Sequence, residues 1–83
     1  MDKEIGKVIH YFNKVQVAVI KLEDDLKLGD IIKVVHGQRE FNQKVESMQV
    51  DHESVPSREA GEEVAIKVKG KAPVGARIYR IEE

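Results

Sequence analysis

The sequence predicts an all-β fold, a small closed barrel of six antiparallel strands, and three observations carry that prediction. Apolar residues fall in short runs dominated by Val and Ile, the β-branched residues that fit a pleated surface. Turn-forming residues separate these runs at intervals of about 8 to 15 residues, the rhythm of sandwiches and barrels. The chain has 83 residues, which fits a single domain over 1–83 with a thin core. Closure is the expected choice at this size, because a closed sheet hides the edges through which β-proteins aggregate.

The first strand is expected over Ile5 to Phe12 and the second over Val15 to Leu22, with Asn13-Lys14 as the turn. Both faces of the second strand are apolar: Ala18, Ile20 and Leu22 on one, Val17 and Val19 on the other. Lys21 shares the face of Val17 and Val19, which points Ala18, Ile20 and Leu22 inward. His10 alternates with Val8 and Phe12, so it is expected to be partly buried, with Phe12 in the core and Tyr11 at the barrel rim. Gly29 supplies a turn before a third strand, Ile31 to Val35, and His36-Gly37-Gln38 turns the chain again. Glu40 to Val50 reads as a fourth strand. Val45 and Met48 lie three apart and Met48 and Val50 two apart, so a β-bulge is expected near Glu46-Ser47. Pro56 and Gly61 punctuate a polar crossing, with a short helical turn at Ser57 to Ala60 capped by Ser57. Glu63 to Lys69 alternates Val64, Ile66 and Val68 against Ala65, Lys67 and Lys69, a strand with one buried face. Pro73 and Gly75 precede a sixth strand, Arg77 to Ile81.

The composition excludes several classes of chemistry. There is no cysteine, hence no disulfide and no thiolate metal site, which fits a reducing compartment. The longest apolar stretch, Val15 to Leu22, is far below the roughly 20 residues that span a bilayer. Met1-Asp2-Lys3-Glu4 has no signal-peptide character, so a cytoplasmic protein without membrane contact is expected. His10, His36 and His52 lack the spacing of a helical zinc site, and no metal or cofactor is assigned. Ser47, Ser54 and Ser57 sit in no nucleophile elbow. Asp24-Asp25 and Glu62-Glu63 are neighbours that a strand sends to opposite faces, so they are not acid–base pairs. No catalytic residue is assigned and no enzyme is expected. The net charge is −1, from 14 basic and 15 acidic residues, and gives no polyanion signature.

Leu26-Lys27-Leu28-Gly29-Asp30, Val45-Glu46-Ser47-Met48 and Glu59-Ala60-Gly61-Glu62-Glu63-Val64-Ala65-Ile66 occur in that order. Together they resemble the second domain of the translational GTPases, as in elongation factors Tu and 1-alpha and initiation factor 2. The resemblance runs from about Ile5 to Ile81 and implies a six-stranded antiparallel barrel. Gly6-Lys7-Val8 with His10-Tyr11-Phe12-Asn13-Lys14 is more similar still to the small barrel that ends some collagenase-like peptidases, a family linked to RNA hydroxylation. Both resemblances imply a barrel that docks onto RNA or a partner while chemistry takes place elsewhere. In Tu-like factors a basic pair and an Asn help to hold the aminoacyl end of tRNA. The matching positions here are Asp51-His52 and Glu63, and two carboxylates repel a phosphate backbone.

The first functional expectation is a stand-alone translation-factor-like barrel that binds tRNA or rRNA, the ribosome, or a translation or RNA-modification protein. Its contact residues would be Lys7, His10, Tyr11, Lys14, Arg39, Lys44 and His52. The basic groups would meet phosphates, while His10 and Tyr11 would stack on bases. The alternative is a protein–protein adaptor that supplies a barrel to a partner enzyme, with no nucleic-acid contact. A third reading, a small enzyme built on His10, His36 or His52, has no supporting motif.

Overall fold

The β-branched runs pair as antiparallel strands throughout a computed structural model that describes residues 2–82. Met1 and Glu83, the ends of the single-domain span read from the sequence, lie outside them. The strands are β1 (Asp2–Phe12), β2 (Val17–Leu22), β3 (Leu26–Lys27), β4 (Ile31–His36) and β5 (Arg39–Lys44). They continue with β6 (Met48–Val50), β7 (Glu53–Ser54), β8 (Ser57–Arg58), β9 (Glu63–Lys67) and β10 (Arg77–Ile81). Eight of them form one sheet in the order β5-β4-β10-β1-β2-β9-β6-β7, and β3 pairs with β8 alongside. The described residues contain no helix. The all-β expectation holds, whereas the closed six-stranded ladder does not: β5 and β7 remain the two ends of an open, curled sheet.

Two further corrections follow from where backbone groups find partners. The expected fourth strand is two strands separated by a corner at 45–47, not one bulged strand. Val45 turns its backbone toward the β3–β4 turn: its N–H donates to the Asp30 carbonyl (2.8 Å) and its carbonyl accepts from the Gly29 N–H (2.9 Å). Met48 then pairs with Ile66 on β9, so the three-residue spacing of Val45 and Met48 buries both. The expected helical turn at Ser57 is strand β8, because Leu26 and Lys27 pair with Arg58 and Ser57.

β1 carries two register shifts, and they set what the sheet shows to the outside. Between Glu4 and Gly6 the ladder to β10 slips, so Ile5 and Gly6 are both buried. A Cβ on Gly6 would lie 2.6 Å from the Lys21 carbonyl oxygen and 2.7 Å from the Ile20 side chain, so only glycine permits this approach to β2. Between Val8 and His10 the ladder to β2 slips again. Val8 faces inward opposite Ile20, while His10 lies opposite Val19 and Phe12 opposite Val17 on the outer face. Tyr11, opposite Ala18, packs against the core. The expected positions of Tyr11 and Phe12 are therefore exchanged, and His10 is exposed rather than partly buried. One extra residue at Ile9 reverses the phase of everything after it.

The inward faces of β1, β2, β4, β9 and β10 meet in one buried cluster. It includes Ile5, Val8, Ala18, Ile20, Leu22, Ile32, Val34, Val64, Ile66 and Ile78, with Leu26, Val45, Met48 and Val68 filling its ends. Where no ladder joins β5 to β9, side chains close the seam. Gln43, the one buried polar side chain among the described residues, donates from Nε2 to the Lys67 carbonyl (2.9 Å). Its Oε1 accepts from the Lys69 N–H (2.8 Å). Phe41 on the same strand lies against Gly70, where a Cβ would sit 3.0 Å from the ring. Lys69 and Glu46 add an exposed ion pair at 3.5 Å. Replacing Gln43 by Ala or Leu removes the partner of a part-buried carbonyl and N–H together. We expect a loss of about 1–3 kcal/mol in urea unfolding, and an unchanged midpoint would show that the seam holds without the amide.

Candidate docking site

Residues paired across strands point to the same side of a sheet, so the registers fix which side chains share the outer face of β10, β1, β2, β9 and β6. One row runs Arg77–Lys7–Lys21–Glu63. The next runs His10–Val19–Ala65–Gln49, and a third runs Phe12–Val17–Lys67. The His10 and Phe12 rings stack with centroids 6.4 Å apart. In the first row Arg77 pairs with Glu4 at 3.6 Å, and Lys21 donates to the Gly61 carbonyl at 2.8 Å.

A groove of about 620 Å³ crosses this face. Its floor and walls are Phe12, Val15, Val17, Val19, Val50 and Ala65, and its polar lining is Gln49, Asp51, His52 and Glu63. Phe12 and Val15 are 54% and 59% exposed, far above what core residues of their size show. Asp51 and His52 form the two-residue turn between β6 and β7, both at positive φ (52° and 67°). A two-residue hairpin favours that geometry because it matches the strand twist, and Asp and His tolerate it better than most residues. Glycine would adopt it without strain.

The residues expected to contact a partner fall into separate regions. Lys7 and His10 lie on the outer face, Lys14 is exposed in the turn between β1 and β2, and His52 lines the groove. Tyr11 is half-buried and packs against the core. Arg39 lines a different hollow with His36, Phe41 and Pro73, and Lys44 lies at the seam beside Gln43. His10, His36 and His52 stay apart: among the described residues no three His, Asp or Glu side chains come close enough to hold a metal ion. The sequence reading missed Phe12, Val15, Val17, Val19, Val50 and Ala65 as a surface. The signal was present in β2, where both faces are apolar although only one can face the core.

A second cavity, lined by Asp24, Asp25, Asp30, Arg58 and Arg80 among others, is crossed by ion pairs and hydrogen bonds of the fold itself. Arg80 bonds Asp24 Oδ2 (3.1 Å), Glu82 and the Asp25 carbonyl, and Lys3 bonds the same Asp24 oxygen at 2.7 Å. The Lys3 ammonium, together with the Asp25 N–H, holds the Asp24 carboxyl down at about 2. These bonds tie the β2–β3 loop to the last strand, so this cavity belongs to the fold. No helix of the described residues is long and apolar enough to cross a membrane.

The comparisons identify first a class of fold. The C-terminal domain of a protein assigned as a U32 peptidase in Geobacillus thermoleovorans superposes with a TM-score of 0.88 at 17% identity. The match covers 96% of this chain and 93% of that domain. The selenomethionine variant of that domain gives 0.85 at 19% identity, over 92% and 96% of the two chains. At that identity the likeness is one of fold, and it agrees with the resemblance to the barrel of collagenase-like peptidases. The resemblance to translation factors rests on the motifs alone. In sequence, an uncharacterized protease of Methanocaldococcus jannaschii is 37% identical over 81 residues, 96% of this chain. The chain spans only 20% of that relative's length. No family model matches the sequence.

Two measurements test this local chemistry. A carboxyl with a lowered folded-state pKa stabilises the fold above its unfolded value and loses that contribution as pH falls. The Asp24 contribution should therefore be complete above its ordinary value of 3.8 and fade as pH approaches about 2. Asp24→Asn should flatten the acid limb of the stability profile in that window, and an identical limb would disprove the tie. His52→Gly should relieve the left-handed strain and raise stability by about 0.5–1 kcal/mol in thermal unfolding. A lower midpoint would mean that the His52 side chain contributes more than its backbone costs.

Proposed function

We propose that this chain is a non-catalytic accessory domain that docks onto the catalytic body of a peptidase-type enzyme. The observation that carries this reading is the match to the Methanocaldococcus jannaschii protease: nearly all of this chain aligns with one fifth of a longer polypeptide. The superposition on the C-terminal domain of an assigned U32 peptidase supports it, because that neighbour is also a piece of a larger protein. The exposed apolar groove supplies a surface for such docking, and the scattered histidines supply no reaction centre. The reading takes the adaptor alternative over RNA recognition. Its partner is a protein domain, because Tyr11 is engaged with the core and the groove presents two carboxylates where an RNA site would need cations.

The relative provides the test. Its matching segment is deleted, and the remaining body is titrated with this chain in a calorimeter. A contact that normally forms at the millimolar effective concentration of a linked domain needs only modest affinity, so a one-to-one complex with Kd of about 10–100 µM is expected. Absence of saturable binding with both proteins folded would sink the proposal.

A further inference from the structure

We infer that the groove on the outer face of β1, β2, β9 and β6 receives a segment of the catalytic body in which a Lys or Arg lies beside apolar side chains. This rests on the accessory-domain reading and names the surface and the chemistry it selects. Three observations point to that occupant. The groove is walled by Phe12, Val15, Val19 and Ala65, which leave apolar area exposed that a partner's apolar side chains would cover. Its charged lining is Asp51 and Glu63, and no Lys or Arg lines it. The cations of this face do not line the groove: Lys21, opposite Glu63 in the first row, donates to the Gly61 carbonyl, Lys7 and Arg77 lie further along that row, and Lys67 lies opposite Val17 in the third. Apolar walls with a carboxylate rim complement a basic, apolar polypeptide and repel a phosphate backbone.

The catalytic body is the source because the relative carries four-fifths of its length outside the matching region. A second copy of this chain and an RNA are the competing occupants. An RNA platform needs cations beside its stacking faces, and here the rings, Phe12 with His10 stacked on it and His52, stand beside the Asp51 and Glu63 carboxylates.

The deleted relative again serves as the probe, with Phe12→Ala, Val15→Ala and the double variant Asp51→Asn/Glu63→Gln. All four positions are exposed, so circular dichroism and melting curves should remain those of the native fold. We expect about tenfold weaker binding for Phe12→Ala. For the double variant we expect about tenfold weaker binding and loss of the salt dependence shown by the native chain. If the native chain binds and all variants bind equally, the groove is not the contact and the accessory reading stands alone. If the native chain does not bind, both fall. A dimer in sedimentation that Phe12→Ala dissolves would assign the groove to a second copy. Binding of tRNA that Phe12→Ala abolishes would assign it to RNA. Either result overturns the inference. Should the double variant fail to fold, the two alanine substitutions decide.

Discussion

A curled β-sheet that stops short of closing has to satisfy the backbone groups along its gap, and here the Gln43 amide does so. A barrel ladder would continue from β5 to β9. Instead the β5 backbone is engaged by β4 on one side, and its remaining approach to β9 is made by a side chain. An amide is suited to this because it carries a donor and an acceptor and can imitate one peptide unit of the missing ladder. Phe41 on Gly70 and the Glu46–Lys69 pair seal the same seam from either side. The apolar cluster reaches that seam, since Val45 follows β5, Val68 follows β9, and both are buried in it.

Much of the fold is legible in the sequence because alternation is a local signal. Ala18, Ile20 and Leu22 against Val17 and Val19, and Val64, Ile66 and Val68 against Ala65 and Lys67, take the faces their pattern predicts. What escaped the sequence is set by partners distant along the chain. The shift at Ile9 belongs to the β1–β2 ladder, beyond the last β1–β10 pair at Lys7, and no residue type near Ile9 announces it. The corner at 45–47 was visible as a phase error, but whether it bulges or breaks depends on Gly29 and Asp30 offering their backbone to Val45. β8 formed at the expense of a turn because Leu26 and Lys27 lay open to pairing.

The candidate site was less legible for a related reason. Basic residues were gathered by type along the chain, and the fold scatters them: Arg39 and Lys44 ride on β5, several strands from Lys7 and His10. The positions singled out by resemblance fared differently. Asp51, His52 and Glu63 do converge on one groove, although their chemistry is acidic where a tRNA-binding site is basic. The resemblance named three positions that share one groove, and two of them carry carboxylates. The shift at Ile9 then added Phe12 to that groove, a contribution that strict alternation would have buried.

The placement of the groove also bears on how a modest contact becomes useful. β1, β2 and β9 are paired along most of their length, and their inner faces pack into the apolar cluster. Side chains on their outer faces are therefore presented by backbone that is already ordered, and binding there incurs little additional conformational entropy. The turn at Asp51-His52 follows the same logic, because its left-handed backbone is fixed by the short β6–β7 ladder before any partner arrives. A thin-cored domain of this size has little stability to spend on rearrangement. A preformed outer groove would let it engage the proposed partner while the seam at Gln43, on the far side of β9 from β2, stays undisturbed.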